Sequence, residues 1–140
     1  MFMIGDLARL TGTKIPTIRY YEEINVMPRA ERAANNRRIY SYKHLERLTF
    51  IRHCRDLGFS LNEVRALLGF ADHPARSCAE VDDIARSHLQ NVEQKIATLT
   101  ILKSELNRMI NQCEGGTVAK CRIIKVLADH SLCQDHGKLP

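Results

Sequence analysis

The sequence has no apolar run close to the about 20 residues that a membrane-spanning helix needs. Its first residues also lack the pattern of a secretory signal, because Asp6 and Arg9 interrupt the apolar stretch there. These two absences predict a cytoplasmic protein whose cysteines are kept reduced. The five cysteines are widely spaced and odd in number, so they suit a disulfide framework poorly.

Signatures of catalysis are missing as well. No nucleophile is paired with a base in a recognisable motif, and no glycine-rich loop has the spacing that cradles a phosphate. We therefore expect a protein that is not an enzyme. A length of 140 residues, 44% of them hydrophobic, allows one ordinary domain or a small domain with a long appendage.

Positive charge is concentrated in the first half of the chain. Residues 1–69 contain 12 Lys and Arg against 7 Asp and Glu, a net charge of +5, whereas residues 70–140 contain 9 of each. A basic excess limited to one half is typical of a surface that binds nucleic acid.

A helix-turn-helix pattern lies in this basic half. Apolar residues at helical spacing predict helices at about residues 4–10 and 15–23, and Gly12 suits the tight turn between them. Residues 29–40 are polar and basic, with a pair of asparagines as the turn between two short extended pieces. This second pattern predicts a β-wing.

Side chains of the second helix and the wing are suited to DNA. Lys and Arg bind phosphates or guanine edges, and Thr and Tyr hydroxyls bind phosphate oxygens. Ile18 and one of the tyrosines Tyr20 and Tyr21 should face inward at helical spacing. Arg29 and Arg32 add to the charge of the wing. The predicted DNA contacts are Lys14, Thr17, Arg19, Tyr20, Arg37, Arg38 and Tyr40.

Two further helices are predicted before residue 70. Residues 42–57 form the first, which contains Cys54 as a buried structural thiol and ends at Gly58. A capping box, Ser60-x-x-Glu63, opens the second, which runs to about residue 68. Residues 70–77 form a linker.

A long helix follows the linker. The capping box Ser77-x-x-Glu80 opens it and places Cys78 at its first helical position. Its apolar stripe is close to a heptad repeat and must be buried on a partner, so we expect two chains to pair through it. His88 lies on the stripe as an interface histidine. The stripe consists of Val81, Ala85, His88, Val92, Leu99, Leu102, Leu106 and Ile110.

Three cysteines flank this helix. A helix from residue 77 to 113 is roughly 55 Å long, so Cys78 and Cys113 of one chain cannot touch. In an antiparallel pair, Cys78 of one chain would lie beside Cys113 and Cys121 of the other. Thiolates bind soft or borderline ions such as Zn, Cd, Hg, Pb and Cu(I). We therefore predict a metal site of these three cysteines that exists only in a dimer. Additional ligands could come from His130, Cys133 and His136.

Five short motifs in the chain resemble the MerR family of transcriptional regulators, and the resemblance covers essentially all 140 residues. The motifs are IGDLARLTG (4–12), TIRYYEE (17–23), NRRIY (36–40), LTFIR (48–52) and LGFSLNEV (57–64). The resemblance implies a mainly α fold in four parts. These are a winged helix-turn-helix DNA-binding domain (1–69), a linker (70–77), a long antiparallel coiled-coil dimerisation helix (78–113), and a short metal-binding loop, helix and tail (114–140).

The resemblance also implies a function. Family members act as homodimers on palindromic promoters with a long spacer. They repress without effector and, with it, distort the DNA so that RNA polymerase can use the promoter. Arg19, Tyr20, Arg38 and Tyr40 match positions that contact DNA in the family.

The metal-responsive branch of the family is the one that the cysteines resemble. Cys113 and Cys121 match its loop ligands. Cys78 matches a position that is cysteine in sensors of divalent ions and serine in sensors of monovalent copper, which implies a divalent effector such as Zn, Cd, Pb or Hg. The four-cysteine cluster of the iron–sulfur branch and the large C-terminal domain of the drug-sensing branch are absent. The alternative is a thiol-based sensor of oxidants or electrophiles that uses Cys78 or Cys113.

Overall fold

The computed structural model describes residues 1–112 and 115–129. The chain divides into two compact units, Met1–Val81 and a second unit that begins at Asp82. No helix among the described residues is long and apolar enough to cross a membrane. The elements are α1 (Ile4–Thr11), α2 (Ile15–Glu23), β1 (Glu31–Arg32), β2 (Arg38–Ile39), α3 (Tyr42–Asp56), α4 (Leu61–Ala71), α5 (Ala79–Asn111), a 3₁₀ turn (Val118–Lys120) and α6 (Arg122–Ala128).

The predicted helix-turn-helix is confirmed. Gly12 ends α1 in the left-handed region at φ +67°, where a side chain would be strained. The backbone N–H of Thr13 donates to the carbonyl of Ala8 at 3.2 Å and closes the turn. Pro16 lies in the first turn of α2, where its missing N–H costs no hydrogen bond.

The wing is a short antiparallel hairpin. Its strands pair Glu31 with Ile39 and Arg32 with Arg38. Asn36 has a positive φ of 65°, which is typical of the turn that we predicted at the two asparagines. One contact was not predicted: Phe2 pairs with Tyr40, with backbone N–H···O distances of 2.7 and 2.8 Å. This pairing joins residues far apart in sequence, so no local pattern indicates it.

The core of the first unit lies between α1, α2, α3, α4 and the residues that flank the wing. Cys54 is buried in it, as predicted. Ser60 and Glu63 form the predicted capping box, with distances of 2.9 and 3.2 Å between each side chain and the other's backbone N–H. The buried apolar residues are Leu7, Ile18, Tyr21, Val26, Met27, Tyr40, Leu48, Ile51, Cys54, Val64 and Leu68.

Helix α3 ends at Asp56, one residue before the predicted end, and the boundaries of α4 and α5 also differ from the prediction. Helix α4 continues to Ala71 instead of ending near residue 68, and Arg47 of α3 binds both carboxylate oxygens of the following Asp72 at 3.1 and 3.2 Å. Helix α5 begins at Ala79, so Cys78 precedes the helix by one residue rather than occupying its first position. The hydroxyl of Ser77 accepts from the N–H of Ala79, two residues further on, at 3.2 Å. In a capping box the serine accepts instead from the N–H three residues further on.

The described part of the second unit buries few apolar side chains. Met109 of α5 and Val126 of α6 are buried, whereas Leu99 and Leu106 are more than half exposed in the single chain. Arg122 Nε donates to the side-chain oxygen of Gln112 at 3.0 Å and ties the start of α6 to the end of α5.

Candidate nucleic-acid interface and cysteine sites

A cleft between α2 and the wing contains four arginines. Arg19 comes from α2, and Arg29, Arg32 and Arg38 come from the wing and its approach. Arg32 Nη1 also donates to the carbonyl of Asn36 at 3.0 Å, so this side chain supports the wing turn. Glu22 and Glu23 of α2 also line the cleft. Guanidinium groups bind phosphate and guanine edges with two parallel hydrogen bonds, so the four arginines suit DNA. We call these four residues the arginine cleft.

A second group of basic residues lies at the start of α2. Lys14 and Thr17 share a surface hollow with Arg52 and Arg55 of α3. Arg52 donates to the carbonyl of Gly12 at 2.8 Å and pairs with Asp56 at 3.1 Å, so it holds the helix-turn-helix turn against α3. Sequence reasoning did not assign Arg52 or Arg55 to the interface, because their approach to α2 depends on how α3 packs.

The predicted DNA contacts of α2 have the expected accessibility. Lys14 and Arg19 are exposed, and Thr17 is half-buried. Tyr20 is 48% exposed whereas Tyr21 is 8% exposed, so one tyrosine faces outward and the other faces the core, as helical spacing predicted. Arg37 and Arg38 of the wing are also exposed.

Tyr40, by contrast, is inside the core. Its side chain is completely buried, its hydroxyl donates to Glu22 Oε2 at 3.2 Å, and its ring packs edge-on against His44. Burial, followed by the charge of Glu22 and the hydrogen bond to it, raises the pKa of Tyr40 to about 12, and Arg38 and Arg19 partly oppose this shift. The sequence predicted a DNA contact here, but the structure places this side chain beneath the arginine cleft. Tyr40 lies one residue beyond β2, and its backbone pairs with that of Phe2.

The described cysteines have different surroundings. Cys54 is buried, and burial raises the pKa of its thiol. Cys78 is exposed, next to an apolar hollow that includes Phe70 and His73. Cys121 is half-buried immediately before α6, and its carbonyl accepts from the Lys125 N–H at 3.1 Å.

The described residues of one chain bring no three Cys, His, Asp or Glu side chains together as a metal site. His88 is half-buried on α5. The remaining predicted ligands lie outside the described residues; they are Cys113, His130, Cys133 and His136.

The fold and the arginine cleft define a winged helix-turn-helix DNA-binding protein. Two family models match the chain: "MerR HTH family regulatory protein" over residues 2–70 and "MerR, DNA binding" over residues 45–109. The chain therefore belongs to the MerR family of transcriptional regulators.

Several known proteins are similar over nearly the whole chain. The transcriptional regulator CueR of Vibrio cholerae is 34% identical over 137 residues, which cover 98% of this chain and 99% of CueR. The regulator PbrR691 of Ralstonia metallidurans, solved with lead(II), is 35% identical with a TM-score of 0.76, covering 91% of this chain and 99% of that one. The dual-function regulator MerR of Bacillus megaterium, solved with mercury(II), is 30% identical with a TM-score of 0.68, covering 91% and 100%.

The buried phenol of Tyr40 should make stability depend on alkaline pH. Its folded pKa of about 12 exceeds the ordinary value of 10, so its contribution to stability is complete below pH 10 and is lost as the pH rises to about 12. We expect the difference in unfolding free energy between wild type and Tyr40→Phe to shrink by on the order of 1–3 kcal/mol over this interval. Denaturant titration at each pH measures it.

The exposed Tyr42 provides the matched control for that experiment. Tyr42→Phe should keep the alkaline profile of the wild type. A pH-independent difference between wild type and Tyr40→Phe would contradict the buried, hydrogen-bonded phenol.

Proposed function

We propose that the chain is a metal-responsive regulator that binds a palindromic promoter as a homodimer and activates transcription by distorting the DNA when a divalent metal ion is bound. Its effector is a soft or borderline ion of the Zn, Cd, Pb or Hg type. The observation that carries the proposal is the likeness, over nine-tenths of the chain, to regulators solved with lead(II) and mercury(II). Residues 1–69 bind DNA, 70–77 link, 78–113 dimerise, and 114–140 bind metal with Cys78.

DNA binding by α2 and the wing is supported by charge and accessibility. Arg19 and Tyr20 are exposed on α2, the helix that enters the major groove in helix-turn-helix proteins. Arg37 and Arg38 extend the positive surface onto the wing, where phosphate contacts set the register of the protein on the duplex. Lys14 and Thr17 lie at the start of α2 and complete the contact set. Tyr40 supports this surface from below.

Arg19→Ala should weaken operator binding by about 10–100-fold, because one arginine contact to a base or phosphate is lost. If Arg19 binds a phosphate, the plot of log affinity against log salt concentration should also become less steep, by about 1. Fluorescence anisotropy with a labelled promoter duplex measures both quantities at several salt concentrations.

Arg86→Ala is the control, since it removes an equal charge from an exposed side chain of α5 that pairs with Asp82. Its operator affinity should stay within about twofold of the wild type. An Arg19→Ala protein with unchanged affinity would refute α2 as the DNA-reading helix.

Dimerisation through α5 is supported by its unburied apolar side. Leu99, Leu106 and Ile110 of the predicted stripe are 62%, 57% and 59% exposed in the single chain. A stripe of this length would be stable in water only when another surface covers it. A second copy offers the same stripe, and a symmetric pairing would set a fixed distance between the two DNA-reading units.

Leu99→Glu should raise the dimer dissociation constant on the order of 100-fold or more, because a twofold interface loses two buried leucines and gains two charges. Sedimentation over a range of protein concentrations measures the constant. Gln94→Glu is the control, since it adds the same charge off the stripe. Equal dissociation constants for Leu99→Glu and wild type would exclude the α5 stripe as the interface.

The metal ligands in this proposal are Cys78, Cys113 and Cys121, and His130, Cys133 and His136 are candidates for a further ligand. Cys78 and Cys121 are the two described thiols outside the core, and each lies immediately before a helix. Three thiolates suit a divalent ion of borderline or soft character. Such an ion changes promoter output if it binds the DNA-distorting state more tightly than the repressing state. RNA polymerase at the distorted promoter is the partner that reads this change.

Cys121→Ser should abolish induction by metal while leaving operator binding close to the wild-type value, because it removes a thiolate ligand without touching the arginine cleft. A promoter reporter tested with Zn, Cd, Pb, Hg, Cu and Ag measures induction, and anisotropy measures operator binding. Cys54→Ala is the control, since it removes the thiol that lies in the core. Full induction of Cys121→Ser would exclude this cysteine as a ligand.

The same reporter assay distinguishes a response to divalent ions from one to monovalent ions, and metal sensing from oxidant sensing. Cys78→Ser should weaken the response to divalent ions most; equal weakening for all ions would contradict a divalent-type site. The exposure of Cys78 also suits a thiol that oxidants reach. If the fully reduced protein binds no stoichiometric metal and peroxide changes promoter output, the oxidant-sensing function replaces the metal-sensing one.

A further inference from the structure

We infer that Glu22 is a positioning residue that fixes the wing to the recognition helix α2, because its two carboxylate oxygens hold the residues at which the wing begins and ends. The inference rests on the proposed binding of DNA by α2 and the wing. It adds to the DNA-binding residues one that does not contact DNA itself but sets the positions of the arginines in the arginine cleft.

One peptide group at the start of the wing is held from both sides. The N–H of Ala30 donates to Glu22 Oε1 at 2.7 Å. The carbonyl oxygen of Arg29, which belongs to the same peptide group, lies 3.0 Å from His44 Nε2. His44 Nδ1 accepts from the Ser41 N–H at 3.0 Å, so Nε2 carries the proton and donates to Arg29. Side chains of α2 and α3 therefore grip opposite edges of this peptide.

The end of the wing is held by the same two side chains. The Tyr40 hydroxyl donates to Glu22 Oε2 at 3.2 Å. The Tyr40 ring meets the His44 ring edge-on, with centroids 5.3 Å apart and planes at 88°. Both ends of the wing therefore meet at one carboxylate and one imidazole, although they are ten residues apart in the sequence.

The buried carboxylate of Glu22 is accounted for by these contacts. The side chain is 8% exposed, and a buried carboxylate is costly unless hydrogen bonds compensate it. It also lies among the residues of the arginine cleft, where a negative charge reduces the attraction for DNA phosphates. The neighbouring arginines and the two hydrogen bonds compensate the buried carboxylate, and the hydrogen bonds also fix the backbone of the wing.

The arginines that depend on this contact are those next to the held residues. Arg29 forms one half of the gripped peptide, and Arg38 precedes Tyr40 by two residues. Arg19 lies one helical turn before Glu22 on α2, so its distance from both wing arginines follows from the Glu22 contacts. Specific binding needs this spacing, whereas non-specific attraction to phosphates needs only the charges.

Glu22→Ala in the full-length protein should therefore separate the two kinds of binding. We expect operator affinity to fall by about tenfold or more, the factor for losing a hydrogen bond to a charged group, and affinity for non-operator DNA to stay within about threefold. The Ala30 amide should exchange hydrogen faster. Glu22→Gln should restore most of the operator affinity, since its oxygen accepts from Ala30 and its amide donates to the Tyr40 oxygen.

Glu46→Ala is the matched control, because it removes an exposed carboxylate of the same unit. Equal operator losses for Glu22→Ala and Glu46→Ala, or an unchanged Ala30 exchange rate, would overturn the inference. If Glu22→Ala fails to fold, Tyr40→Phe replaces it. Its expected operator loss is smaller, about threefold, because the hydrogen bond from Ala30 to Glu22 remains; wild-type affinity would then overturn the inference. The exchange measurement tests the Glu22 contact without DNA. Unchanged operator affinity of Arg19→Ala would instead show that the proposed DNA binding by α2 has failed.

Discussion

The exposed apolar side of α5 is the constraint on which the proposed dimer depends. In the first unit, Leu7 and Leu48 are completely buried among their neighbours. In α5, Leu99 and Leu106 are more than half exposed. Each such leucine forgoes on the order of 1–2 kcal/mol of burial, since its full burial is worth about 1.5–3 kcal/mol and part of it is already covered. Covering the stripe with a second chain would remove this cost. The same contact would fix the separation of two DNA-reading units, so one interface would determine both the stability of the dimer and the spacing of its half-sites.

Charge and shape are separated within the DNA-reading unit. The arginine cleft supplies four cations within one concave surface, which exceed the two carboxylates of Glu22 and Glu23 there and favour attraction to any duplex. Buried polar contacts beneath it, from Tyr40 and His44, supply no attraction, because neither side chain reaches the surface. They restrict instead how the wing stands relative to α2. In such a surface, the arginines attract any duplex, and the buried contacts fix the positions of the arginines and so limit which DNA sequences fit.

Local sequence signals predicted the parts of the fold that are decided locally. Gly12, the Ser60–Glu63 capping box and the positive φ of Asn36 each depend on a few adjacent residues, and each was confirmed. The burial of Tyr40 could not be predicted, because it depends on a carboxylate 18 residues away. The start of α5 was missed by one residue, since a Ser-x-x-Glu pattern does not decide between alternative caps.

The differences among the thiols bear on the chemistry of the proposed metal site. A metal ligand must be a thiolate, and burial that raises the pKa of Cys54 opposes that form inside the core. Cys78 and Cys121 lie closer to solvent, and each immediately precedes a helix. The count of thiolates then bears on the ion. In the proposed site, two thiolates would already exceed the charge of a monovalent ion, and a third adds negative charge that a divalent ion offsets better, which is why we propose a divalent effector rather than copper(I).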